Sequence, residues 1–155
     1  RGDIELALNY IGPVKDLAEA EQGHANIKRR YLINGKESSV FNQSDIITIE
    51  MQLEFSPNAP EGYYQVTDVL PSGLKYVQPN WGRQADYSWG NVNGQKITFG
   101  YYYDHNDKRP KTILYLARVI APGKYMADNG IILHVKSRVC GFTAQNVITI
   151  VSSEQ

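Results

Sequence analysis

Between residues 47 and 55, apolar and polar side chains take strict turns. Ile47, Ile49, Met51, Leu53 and Phe55 are separated by Thr48, Glu50, Gln52 and Glu54. A helix would scatter those five apolar groups around a cylinder, whereas a pleated strand places all of them on one face. The same period recurs at Ile4, Leu6, Leu8 and Tyr10, and again at Ile97, Phe99, Tyr101 and Tyr103. The run 113–119 is apolar on both faces for most of its length, as expected of a strand covered from two sides. Shorter candidate strands lie at 27–33, 63–69, 74–77, 85–89, 131–137 and 146–151.

The punctuation between these runs agrees with strands. All seven prolines (positions 13, 57, 60, 71, 79, 110 and 122) fall between the candidate strands, where a missing N–H does least harm. Asn34-Gly35 and Asn93-Gly94 are two-residue turn sequences, and Pro71-Ser72-Gly73 and Pro122-Gly123 mark further reversals. The only helix candidate is 15–22, which a polar loop would fit as well. Short strands spaced in this way predict an all-β fold: an antiparallel two-sheet β-sandwich with little helix. A seam is expected near 13–26. Residues 27–155 form the predicted sandwich domain. Residues 1–26 form an N-terminal strand and linker, its strand 4–10 belonging either to the sandwich or to the end of a neighbouring domain.

Composition removes several classes of function. Sixteen basic residues balance sixteen acidic ones, so no global field draws the chain toward nucleic acid or anionic lipid. No apolar run approaches the roughly 20 residues of a membrane-spanning helix. The chain begins at Arg1 without Met or a signal peptide, which fits a segment of a longer protein.

Little in the sequence suggests catalysis. His24, His105 and His134 have no second ligand at metal-binding spacing, and no metal or other cofactor is expected. In the loop Asp104-His105-Asn106-Asp107, Lys108 and Arg109 stand where a calcium loop needs an oxygen ligand and a glycine, so a polar hairpin tip is expected. The nucleophile elbow, the P-loop and the dinucleotide fingerprint are all missing, and an enzyme is not predicted. Cys140, between Val139 and Gly141, reads as a buried structural thiol. An intramolecular Lys–Asn isopeptide bond would use Lys28 and Asn146, but Lys28 sits in a basic run suited to solvent. Aromatic residues are the most suggestive feature. Tyr102 must face away from Tyr101 and Tyr103 in a strand. Trp81, Trp89 and Tyr102 are therefore the candidate binding residues, for a sugar or a protein surface, against the alternative that the aromatics fill the core.

Four segments carry a family resemblance. Arg29-Arg30-Tyr31 resembles an "Arg-x-Tyr" strand, and Ser44 to Ile49 a "Gly/Ser-Asp-x-Val-x-Val" strand. The stretch 62–74 resembles a strand running into "Asp-x-Leu-Pro-small-Gly-Leu", with Asp68-Val69-Leu70-Pro71-Ser72-Gly73-Leu74 at the motif. Residues 115–125 resemble a "Tyr-x-x-Arg-x-x-x-Pro-Gly-x-Tyr" hairpin. In this order they resemble the C-terminal macroglobulin-like domain of bacterial alpha-2-macroglobulin family proteins, and 8–13 resembles the strand leading into it from a CUB-like domain. The resemblance implies an extracytoplasmic parent of tandem sandwiches, in some members a protease-trapping inhibitor with a bait segment and a thioester. It implies two kinds of partner, neighbouring domains of the same parent and a target protease met through that parent. The family's thioester forms within Cys-x-Glu-Gln. Here Cys140 and Gln145 lie five apart with no glutamate between, so no thioester residue is carried over. Pro71, Gly73 and Pro122-Gly123 are expected to shape turns, the latter between two central strands. The alternative function is a cell-surface adhesin or carbohydrate-binding sandwich.

Overall fold

A computed structural model of the chain describes residues 21–79, 89–108 and 111–152. In chain order the strands are β1 (Glu21–Gln22), β2 (Ala25–Ile33), β3 (Lys36–Glu37), β4 (Val40–Asn42) and β5 (Ile46–Phe55). Then come β6 (Gly62–Val69), β7 (Leu74–Pro79), β8 (Trp89–Asn93), β9 (Lys96–Tyr103) and β10 (Thr112–Val119). Last are β11 (Gly123–Ala127), β12 (Ile131–His134), β13 (Val139–Phe142) and β14 (Asn146–Val151). No helix occurs among the described residues.

A six-stranded sheet runs β1-β13-β12-β6-β9-β8, a five-stranded sheet β3-β2-β5-β10-β7, and a three-stranded sheet β11-β14-β4. The all-β sandwich expected from the alternation is therefore present. Two short pairings, β1 with β13 and β14 with β4, are parallel. The third sheet arises because β11 does not fold back on β10 as a hairpin. It pairs with β14 instead, so Pro122-Gly123 carries the chain from one sheet to another and not between two central strands. Gly123, at φ 149°, takes a conformation that side chains disfavour.

The core follows the period read from the sequence. Ile47, Ile49, Met51 and Leu53 of β5 are buried, as are Ile97, Phe99, Tyr101 and Tyr103 of β9. The two larger sheets meet through rings: Phe55 stands 4.9 Å from Tyr64 and 4.0 Å from Tyr103, and Phe99 5.6 Å from Tyr115. Most of the rings placed here thus fill the interior.

The Asn34-Gly35 turn closes the β2–β3 hairpin with both residues at positive φ, 50° and 77°. In the β8–β9 hairpin, Asn93 remains in the strand and Gly94 (φ 61°) starts the two-residue loop. The expected reversal at Pro71-Ser72-Gly73 is present, the Leu74 N–H donating to the Pro71 carbonyl at 2.9 Å, and space imposes a further demand on Gly73. A Cβ there would lie 2.4 Å from the Tyr125 ring and 2.7 Å from Ile150. Pro79 does not fall between strands; it is the last residue of β7, an edge strand, where its missing N–H is tolerated. The proposed helix over 15–22 ends in β1, the rest of it lying outside the described residues, as does strand 4–10.

Candidate functional site

Charged residues occur at two inward positions of the alternation. Arg29 shares the inner face of β2 with Ile27 and Tyr31, and Asp68 shares the inner face of β6 with Tyr64 and Val66. Their side chains are fully enclosed and meet between the sheets, with Arg29 Nη1 donating to Asp68 Oδ1 at 2.5 Å. Tyr115 of β10 donates its hydroxyl to Asp68 Oδ2, and the Val69 N–H donates to Oδ1 at 2.9 Å. Arg29 Nη2 reaches the carbonyls of Ala127 (3.3 Å) and Asp128 (2.6 Å). The guanidinium also lies 5.6 Å from the centre of the Tyr31 ring.

Two buried atoms in this cluster have no partner: Arg29 Nε and Tyr31 Oη. An unpaired buried polar group costs about 1–3 kcal/mol. Burial alone would lower the affinity of the Arg29 guanidinium for its proton, but Asp68 outweighs it and leaves the group above its ordinary value. Burial, reinforced by the Asp68 carboxylate, holds the Tyr115 phenol well above its usual range. Tyr31 is raised by burial too, against the opposing pull of Arg29. These groups are locked in their resting protonation states and sealed from solvent. The cluster can tie strands together; it has no opening through which to exchange a proton with a substrate.

Arg29, Asp68 and Tyr115 belong to three of the four segments that carry the family resemblance, and the structure brings all three into one cluster. Sequence reasoning treated those segments as scaffold and did not single the three out. For Arg29 and Asp68 a signal was present, because each charge breaks an otherwise apolar inner face; Tyr115 carried none.

The binding candidates fare differently. Tyr102 is 53% exposed and meets Tyr63, 52% exposed, with ring centres 5.0 Å apart. The two planes cross at 75°, so they make an edge-to-face pair and not a flat platform. Val135 lies beside Tyr63, whose carbonyl accepts from its N–H, and extends the apolar row. Trp81 lies outside the described residues, and the Trp89 backbone pairs with Gly100 in β8. The structure thus adds Tyr63 to Tyr102, a partner that the cross-strand register supplies and the sequence does not.

Other candidates resolve locally. Cys140 is buried, and burial raises its thiol. Lys28 is exposed and bonds Glu54 at 2.6 Å, so it does not enter the core with Asn146 as an isopeptide bond would require. In the 104–107 loop, Asp104 Oδ1 accepts from the Asn106 N–H at 2.7 Å. His24, His105 and His134 each bond a nearby hydroxyl. No group of three potential metal ligands occurs among the described residues.

No protein-family model matches this chain, and no curated protein matches it. Solved structures do. Alpha-2-macroglobulin from Escherichia coli, in a crystal structure running from domain MG7 to the C-terminus, aligns at TM-score 0.70 and 19% identity over 90% of this chain and 24% of that one. Salmonella alpha-2-macroglobulin reacted with methylamine aligns at TM-score 0.69 and 19% identity, over 85% of this chain and 9% of that one. A non-cellulosomal cohesin from Archaeoglobus fulgidus aligns less well, at TM-score 0.52 and 15% identity over 85% of this chain and 94% of that one. The chain therefore spans a quarter or less of the macroglobulin chains it matches, and over that span it shares the fold of bacterial alpha-2-macroglobulin's C-terminal region.

Proposed function

We propose that this chain is a non-catalytic structural and interaction domain from the C-terminal part of a bacterial alpha-2-macroglobulin-like protein. Residues 27–155 make the domain, Ala25 and Asn26 complete its first long strand, Glu21 and Gln22 add β1 to its six-stranded sheet, and the residues before them lead in from a neighbour. The observation carrying the reading is the convergence of Arg29, Asp68 and Tyr115, from three resemblance segments, on one enclosed cluster within a macroglobulin-like fold. That cluster is built to hold strands in place, not to transform a substrate. The partners are then the adjoining domains of the parent and, through the parent, a target protease in an extracytoplasmic compartment.

The test uses the whole parent chain. Limited trypsin treatment is expected to change its native-gel mobility and retain the protease with it, and deletion of this domain is expected to abolish both. Cleavage of the intact parent with no change in mobility and no retained protease would count decisively against the proposal.

The second reading, an adhesin or carbohydrate-binding module, draws on the exposed Tyr63–Tyr102 pair and the cohesin-like fold. The crossed rings support it less than a flat row would. Glycan-array binding by the 155-residue chain, lost in Tyr102→Ala, would favour it over the first.

A further inference from the structure

A cleft of about 410 Å³ separates β2 from β14, with residues 29–31 on one wall, 146–148 on the other and 37–39 closing it. Both walls are strand edges left unused by the topology. β3 pairs with β2 only at Leu32 and Ile33, and β4 pairs with β14 only from Thr149 to Val151. The chain between β3 and β4 leaves β2 where the Ser38 N–H donates to the Tyr31 carbonyl (3.0 Å). It joins β14 where the Thr149 N–H donates to the Ser39 carbonyl (2.8 Å).

Those two bonds fix which main-chain groups face the cleft. In an antiparallel pair a residue's N–H and C=O point to the same side, and the side alternates along the strand. The Tyr31 bond sets the odd residues of β2 facing away from β5, so Arg29 turns its peptide groups outward. The Thr149 bond sets the odd residues of β14 facing away from β11, which does the same for Val147. Neither residue's outward N–H or C=O has a partner among the described residues. A chain lying at Val147 would prolong the line of β4, which stops at Val40.

Charge and shape restrict the occupant. Arg29 is neutralised by Asp68 and Arg30 by Glu50, which leaves Glu37 as the uncompensated charge of the lining. An anionic ligand is thereby disfavoured, and a neutral or basic one suits. The solvent face of the three-stranded sheet presents Val147 beside its cross-strand neighbour Met126, with Val40 and Val151 close by, all more than 40% exposed. An added strand would continue that apolar face at every second residue.

We infer that this cleft is a strand-addition site for an extended peptide segment, neutral to basic, with aliphatic residues at alternate positions, hydrogen-bonded to the main chain of Val147 and Arg29. The site does not depend on the macroglobulin reading. The probe is a phage-displayed library of linear heptapeptides panned on the 155-residue chain, with enriched sequences synthesised. Enriched peptides should alternate aliphatic residues, carry no net negative charge, and slow hydrogen exchange of the Val147 amide at least tenfold. Val147→Pro removes an N–H that the domain itself does not use, and Ser39→Trp fills the cleft while keeping the carbonyl that Thr149 needs. Each should weaken peptide binding at least tenfold with little change in melting temperature. The inference is overturned if no sequence is enriched, if selected peptides bind both variants as well as the original chain, or if saturating peptide leaves Val147 exchange unchanged.

Discussion

Replacing Asp68 by Asn removes one negative charge from the centre of the sandwich while almost preserving its shape. The amide oxygen can still accept from Arg29 and the Val69 N–H, but the amide nitrogen now confronts the Tyr115 hydroxyl donor. The larger loss is electrostatic: a guanidinium with no solvent exposure loses its counter-charge and keeps only neutral acceptors, the amide oxygen and the Ala127 and Asp128 carbonyls. Breaking one half of a buried ion pair costs about 3–5 kcal/mol. Against a usual stability of roughly 5–15 kcal/mol this is a large fraction. At about 2–4 °C per kcal/mol for a chain of this size, the melting temperature should fall by roughly 6–20 °C. Urea denaturation followed by circular dichroism measures the loss directly, and an unchanged m-value shows that the unfolded reference has not moved. The double variant Arg29→Met/Asp68→Leu removes both charges together and should recover more than half of the loss, since paired apolar replacement of buried ions is often neutral. A loss below about 1 kcal/mol for Asp68→Asn, or a double variant as unstable as the two single losses added, would refute this reasoning.

Three further outcomes follow from neighbouring features. Tyr31→Phe deletes a buried hydroxyl that has no partner and keeps the ring under Arg29, so urea denaturation should show no loss, or a gain of up to about 1 kcal/mol. Gly73→Ala forces a methyl group against Tyr125 and should cost about 1–3 kcal/mol; a Tyr125→Ala background, which vacates that space, should shrink the penalty. Tyr64, pushed up to about 12 by burial, keeps its proton when folded at a pH where the unfolded phenol has lost it. Its contribution to stability is complete below about pH 10 and disappears between about pH 10 and 12, at up to ~1.4 kcal/mol per pH unit. Urea midpoints measured across that window should therefore decline less steeply in Tyr64→Phe than in the original chain.

Long strands with one buried face were legible in the sequence because alternation over seven or more residues has no helical equivalent, as at 47–55 and 97–103. Val40–Asn42 and Val139–Phe142 were not, being three and four residues long. Val139, Cys140 and Gly141 are also buried in succession, which erases the alternation. The third sheet was illegible for a related reason, since Pro122-Gly123 signals a reversal but not which strand the chain will meet afterwards. In the candidate site, Asp68 was visible as a charge in register with Tyr64 and Val66. The pairing was not, because Arg29 and Tyr115 come from strands of the opposite sheet and only the facing of the layers selects them as its partners. The turn at Gly73 was legible from Pro71-Ser72-Gly73, but the second demand on that glycine was not, because the Tyr125 ring that crowds it lies on β11, a strand the reading had not placed.

Arg29 belongs to the five-stranded sheet, Asp68 to the six-stranded sheet, and Ala127 closes the last strand before the chain leaves the three-stranded one. A single side chain therefore grips all three layers at once. Pulled from its ends, such a body should resist without peeling layer by layer and then give way in one step. A rigid body of that kind would transmit an applied tug with little stretch of its own.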